Sequence, residues 1–130
     1  MTRILVTGSR EWTDPAPVLA AIERVEARST GPLVLVHGAA RGLDLLAARL
    51  VRGRPRWTEE AHPADWATHG RAAGHRRNAE MVARGAALCL AFPLPGSRGT
   101  WDCVRRAVDA GVPTLVLRAG CWVYEVPSER

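Results

Sequence analysis

The feature that most restricts this chain is a repeated change of period: a short apolar run, a glycine turn, then apolar residues recurring at helical spacing. Arg3 to Thr7 runs into Gly8-Ser9-Arg10, Leu33 to Val36 into His37-Gly38-Ala39-Ala40-Arg41-Gly42, and Ala87 to Phe92 into Pro93-Leu94-Pro95-Gly96-Ser97-Arg98-Gly99-Thr100. Each run is apolar at successive positions, which predicts a strand covered on both faces, as in a parallel sheet. The first helix opens at Asp14-Pro15, with proline at its first position, and gathers Val18, Leu19, Ile22 and Val25 on one face. A second carries Leu43, Leu46, Ala47 and Leu50, a third spans the region of Gly70 to Arg84, and a last bears Val104, Ala107 and Val108 before Gly111-Val112-Pro113.

The remaining segments complete the pattern. Arg56 to Ala61 is a weaker strand, His62-Pro63-Ala64-Asp65-Trp66 a loop, and Thr114 to Leu117 a further buried strand. Trp122 to Val126 reads either as a short edge strand or as a packed tail. The expected fold is α/β, a Rossmann-like three-layer sandwich around a mainly parallel sheet of about five strands. At 130 residues one domain is expected, covering residues 1–118, with 119–130 as a C-terminal tail.

Composition narrows the chemistry. All 18 basic residues are arginine, which excludes a Walker-type phosphate lysine, a Schiff-base lysine and a lysine general base. The net charge of +5 favours anionic partners. Cys89, Cys103 and Cys121 show no CxxC spacing, and His37, His62, His69 and His75 show no ligand spacing, so reduced packing thiols and no metal are expected. With no membrane-length apolar run and no signal-peptide pattern, the expectation is a cytoplasmic chain without a membrane partner.

Right-handed crossovers bring the strand-end turns to one edge of the sheet, where ligands of open α/β folds bind. A glycine turn feeding a helix leaves amides unpaired at the positive end of the helix dipole, which suits phosphate. Gly8, Ser9, Gly38, Gly42, Gly96, Ser97, Gly99 and Thr100 are the backbone candidates, and Arg10, Arg41 and Arg98 the candidate guanidinium clamps. Each glycine also has the plain reading of a tight turn, and each arginine that of a solvated helix end. Arg77 shares a helix face with Met81 and also with Glu80, where an ion pair would orient it; a mixed-charge surface helix explains the same spacing. Trp12 and Trp66 sit beside these turns as candidate base-stacking platforms or as lid packing, while Trp57, Trp101 and Trp122 read as structural. Asp44 and Asp102 each either meet a ligand, Asp44 by accepting from a ribose hydroxyl, or favour a helix N-terminus.

Five ordered strings carry a resemblance: Val6 to Trp12, His37 to Asp44, Pro63 to Trp66, Arg77 to Met81, and Pro95 to Thr100. Together they resemble the SLOG superfamily, in the small YspA group related to YpsA, over nearly the whole chain to about Leu117. The resemblance implies a Rossmann-like fold, a nucleotide or nucleotide-derived ligand rather than a required cofactor, a site that includes Arg77 and Asn78, and a homodimer as an option. It extends to the "lonely guy" phosphoribohydrolases, whose arginine before the helix methionine matches Arg77 and whose glycine-threonine step matches Gly99-Thr100. Their Pro-Gly-Gly-x-Gly-Thr-x-x-Glu pattern is broken here, with Ser97 at the second glycine and Cys103 at the glutamate. Asp102 is the nearest carboxylate that would substitute. The superfamily also holds the DNA-processing protein A, and Arg49, Arg52, Arg54 and Arg56 form a basic stretch that single-stranded DNA would meet. The leading expectation is a nucleotide-binding sensor or regulatory module; the alternatives are an N-glycosidic hydrolase, with Arg77 and Asp102 as its catalytic pair, and a single-strand DNA binder.

Overall fold

The computed structural model describes residues 1–127; the end of the tail expected from sequence, residues 128–130, lies outside the described residues. The chain runs β1 (Thr2–Gly8), α1 (Pro15–Arg28), β2 (Leu33–His37), α2 (Leu43–Val51), β3 (Trp57–Ala61), a single helical turn α3 (Trp66–His69), α4 (Ala73–Ala83), β4 (Leu88–Phe92), α5 (Arg98–Asp109), β5 (Thr114–Arg118) and β6 (Cys121–Glu125). The sheet order is β3-β2-β1-β4-β5-β6, with every pairing parallel except β5 with β6. The α/β sandwich expected from the sequence is therefore present, with six strands instead of about five.

The sixth strand comes from the segment set apart in sequence as a tail. Ala119 and Gly120 both have positive φ, 48° and 79°, and join β5 to β6 as a tight hairpin turn. An Ala-Gly pair is a weak turn signal because alanine resists that conformation, so the hairpin was hard to read. Its mixed burial marks β6 as the sheet edge.

The strands alternate cleanly between two faces. Ile4, Val6, Leu33, Leu35, Leu90 and Phe92 pack with α1 and α2, while Leu5, Val34, Val36 and Cys89 pack with α4 and α5. Asp14 caps α1 through its carboxylate, which accepts from the Ala16 amide, and Pro15 takes the first helical position as expected. Chain progression runs outward from β1 to β3 on one side and from β4 to β6 on the other. The strand-end loops of β1 and β4 therefore diverge, and the crevice between them is the topological switch point of the fold.

Two close approaches fix that edge. A Cβ on Gly8 would press into the Leu43 side chain, and Gly42, at φ +79°, lies against the backbone of Ser9 and Arg10. The Leu43 amide donates to the Ser9 carbonyl at 3.1 Å, tying the β1 turn to the start of α2. At the opposite end of β1, Arg3 reaches across β2 and grips Glu60 through two guanidinium nitrogens, at 2.6 and 2.8 Å. Glu60 is held at a pKa of about 2 by Arg3 and then His62, against its ordinary 4.5. A carboxylate with a depressed folded pKa adds stability above its unfolded value and loses it as pH falls. Glu60→Gln is expected to lower the unfolding free energy at pH 7 by about 1–2 kcal/mol, allowing for partial exposure. Urea titrations should show that difference shrinking as pH falls from 4.5 toward 2.

Candidate functional site

A cleft of about 400 Å³ opens at the switch point between the β1 and β4 loops, walled by α4 and floored by the start of α2. Five arginines line it, Arg10, Arg41, Arg71, Arg77 and Arg98, against two carboxylates, Glu11 and Asp44. Arg41 donates to Glu11 at 2.8 Å at the exposed rim, so that pair is largely self-neutralised. A second lobe adjoins it, shares Arg10, Ala40, Arg41, Trp66 and Arg77 with the first, and continues to Gly38, Ala39, Pro63 and Ala64. Trp66 is about half exposed on this shared wall, with the Arg10 guanidinium 5.3 Å from its ring centroid.

The glycine turns differ in what their amides do. In the β2 turn the amides of Gly38 and Ala40 donate to Asp44 Oδ2 at 3.1 and 3.3 Å, and the Ala39 amide donates to His37 Nδ1 at 3.0 Å. His37 is buried and, with Nδ1 accepting, carries its proton on Nε2, which faces Glu59 Oε1 at 2.8 Å. The Gly38, Ala39 and Ala40 amides are therefore engaged within the turn, so the Gly38 amide that the sequence offered to a ligand is already bonded. Gly42 also lies outside the cleft lining, and Gly38 borders only the second lobe. In the β1 turn, Ser9 donates its amide to the Phe92 carbonyl, and its hydroxyl accepts from the Glu11 amide.

The β4 turn is open at the start of its helix. Ser97 is the residue before α5, and its hydroxyl accepts from the Leu94 amide instead of capping the helix. The first-turn amides of Gly99 and Thr100 have no protein acceptor among the described residues, and both residues line the cleft with Gly96, Ser97 and Arg98. The sequence motif Pro95 to Thr100 therefore supplies a helix start at the cleft with unpaired first-turn amides, the geometry that suits an anion.

From α4, Arg77 donates through Nε to Asn78 Oδ1 at 2.9 Å and through Nη1 to the Gly38 carbonyl. The expected pairing with Glu80 does not form, because the guanidinium turns toward the β2 turn. Asn78 is buried and donates to Asp102 Oδ2 at 3.0 Å and to the Gly99 carbonyl at 3.2 Å, so it braces α4 against α5. Asp102 itself is buried and is not part of the cleft wall. Burial would raise its pKa, but hydrogen bonds from Asn78, Arg106 and His75 outweigh that and hold it below the ordinary aspartate value. Cys103 faces the sheet core, where its hydrogen bond to Cys89 and the burial of Cys89 push the Cys89 thiol well up, so Cys89 packs as a neutral thiol.

Other expectations separate similarly. Trp12 packs edge-on against Phe92, with centroids 5.5 Å apart, and is not in the cleft. Trp66 is. Trp57 is buried with its indole donating to Glu26, and Trp122 packs against Phe92, both structural as expected. In the basic stretch, Arg52 pairs with Glu59, Arg54 with Glu26, and Arg56 donates to the carbonyls of Gly31 and Glu26, leaving only Arg49 of the four without such a partner among the described residues. Sequence reasoning passed over Arg71, Gly74 and His75. Their signal was periodic: Arg71, Gly74, His75, Asn78 and Met81 follow one another at helical spacing and all line the cleft.

Comparison with known proteins agrees with this arrangement of motifs. Residues 2–69 match the family model described as "YAcAr: YspA, cpYpsA-related SLOG family". The chain is also 48% identical over 119 residues to the Gene 61 protein of Mycobacterium phage D29, an alignment covering 88% of this chain and 95% of that one.

The clamp between Arg77 and the β2 turn has a measurable signature. A Cβ on Gly38 would lie 2.6 Å from Arg77 Cζ, so Gly38→Ala must displace the guanidinium. Arg77→Ala is expected to cost about 1–2 kcal/mol in the native chain. In the Gly38→Ala background it should cost close to nothing, and denaturation of all four species as a double-mutant cycle reads the difference.

Proposed function

Because the chain belongs to the YspA, cpYpsA-related SLOG family, we propose that it binds a nucleotide or nucleotide-derived ligand in the switch-point cleft and serves as a sensor or regulatory module. The carrying observation is the start of α5, where Gly99 and Thr100 line the cleft and their amides have no acceptor among the described residues. Phosphate takes this position, neutralised by the arginines of the same wall. The base lies toward the second lobe, where Trp66 offers an exposed ring for stacking. Arg77 and Asn78 hold the wall's geometry, and one guanidinium nitrogen, Nη2, is free of the bonds that fix the other two.

Gly99→Asp separates ligand binding from folding. A Cβ at this position meets nothing within 4 Å, and an acidic residue in a first helical turn adds about 0.3–1 kcal/mol of stability. The same carboxylate occupies the phosphate position. Calorimetry against AMP, ADP-ribose, NAD and cyclic nucleotides is expected to find a ligand for the native chain, and Gly99→Asp should weaken it at least about tenfold while the melting temperature holds or rises. A folded native chain that binds none of these ligands would contradict the proposal.

A second reading, N-glycosidic hydrolysis, draws support from one feature absent from the sequence reasoning. His75 lines the cleft, and its Nδ1 lies 3.0 Å from Asp102 Oδ1, so a carboxylate behind the wall orients an imidazole on it. In this reading the ring's Nε2 delivers a proton to the departing base as the C–N bond breaks, water takes the base's place at the anomeric carbon and its released proton restores the imidazole, and Asp102 is a positioning residue. Free base released from a nucleotide panel, lost in both His75→Gln and Asp102→Asn, is the expected result; no release by the native chain contradicts it.

A further inference from the structure

Asp44 has one carboxylate oxygen fully used and one with nothing to bond. Oδ2 accepts from the Gly38 and Ala40 amides, whereas Oδ1 is buried without a hydrogen-bond partner among the described residues. It is the one buried side-chain polar atom so left there, and Asp44 lines the cleft although the residue is only 6% exposed. An orphaned acceptor in a dry site costs about 1–3 kcal/mol, more when charged, so the free protein carries a strain that a fitting donor removes. Burial pushes the Asp44 carboxyl up, while the hydrogen bond from Ala40 and the nearby His37 and Arg77 pull against it.

The chemistry of the missing partner follows from the surroundings. A phosphate does not fit against a carboxylate, and the unpaired Gly99 and Thr100 amides, which suit it, lie on a different loop from Asp44. The group that meets Oδ1 must be a neutral donor on the same ligand. In a nucleotide the donors nearest the phosphate are the sugar hydroxyls, and an exocyclic amine of the base is the other source of the same chemistry. We propose that Asp44 Oδ1 accepts a hydrogen bond from a sugar hydroxyl of the ligand, so that the cleft selects ribonucleotides over their deoxy counterparts. This rests on the nucleotide reading and names the part of the ligand that the glycine turn cannot discriminate.

The test compares AMP, 2′-deoxy-AMP, 3′-deoxy-AMP and inosine monophosphate by calorimetry on the native chain and on Asp44→Asn. The amide oxygen of asparagine can keep the bonds from Gly38 and Ala40, and the loss of a buried charge offsets the unpaired NH₂ that takes the place of Oδ1, so the variant is expected to melt near the native temperature. The native chain should bind AMP and inosine monophosphate comparably and at least one deoxy analogue about tenfold to a hundredfold more weakly. Asp44→Asn should bring the ribo and deoxy ligands to within about threefold of each other. Equal native affinity for AMP and both deoxy analogues overturns this inference alone, as does a loss confined to inosine monophosphate, which would assign Oδ1 to the base amine. Binding of none of the four by the folded chain overturns the nucleotide reading and this inference with it.

Discussion

Each turn amide at the carboxyl edge of the sheet must find an acceptor, and where it finds one decides what the edge can bind. Within the β2 turn the Gly38, Ala39 and Ala40 amides are satisfied by Asp44 and His37, and in the β1 turn the Ser9 and Glu11 amides by Phe92 and by Ser9 itself. The β4 turn leaves the Gly99 and Thr100 amides at the start of α5 without an acceptor among the described residues. Close backbone contact makes this possible: Gly8 and Gly42 admit Leu43 and the Ser9-Arg10 backbone so tightly that no side chain fits between. These glycines serve approach, and the glycines of the β4 turn serve access.

The cleft consequently has a polarity. Unpaired donors stand at the β4 turn and an unpaired acceptor, Asp44 Oδ1, on the α2 side, with arginines between and an exposed indole beyond. The α4 helix makes the polarity rigid. Its Arg77 is anchored to the Gly38 carbonyl, its Asn78 to Gly99 and Asp102, and its His75 to Asp102, so both ends of the cleft are referenced to one helix. Such a wall is preorganised, which lowers the ordering cost of binding.

Much of the fold was legible because buried parallel strands and amphipathic helices write different periods into a chain, and glycine turns mark each change. The hairpin at Ala119-Gly120 escaped because its turn uses a residue ill suited to positive φ. For the cleft, the sequence located the loops but not the direction of their amides. Gly38 and Gly99 look alike in a string, and only the folded position of Asp44 tells the bonded Gly38 amide from the unpaired Gly99 amide. Trp12 and Trp66 were likewise indistinguishable until Phe92 claimed the first. His75 was overlooked because its partner, Asp102, lies on another helix, a relation that no local spacing encodes.

The central claim is that the amides of the β4 turn, and not those of the β2 turn, receive the anionic group. Amide proton and nitrogen chemical shifts of the assigned protein, followed during titration with inorganic phosphate and then with AMP, address it residue by residue. The account predicts the largest perturbations at Gly99 and Thr100, with Gly38 and Ala40 still hydrogen-bonded to Asp44. Perturbations centred on Gly38 and Ala40, with Gly99 and Thr100 unmoved, would contradict it.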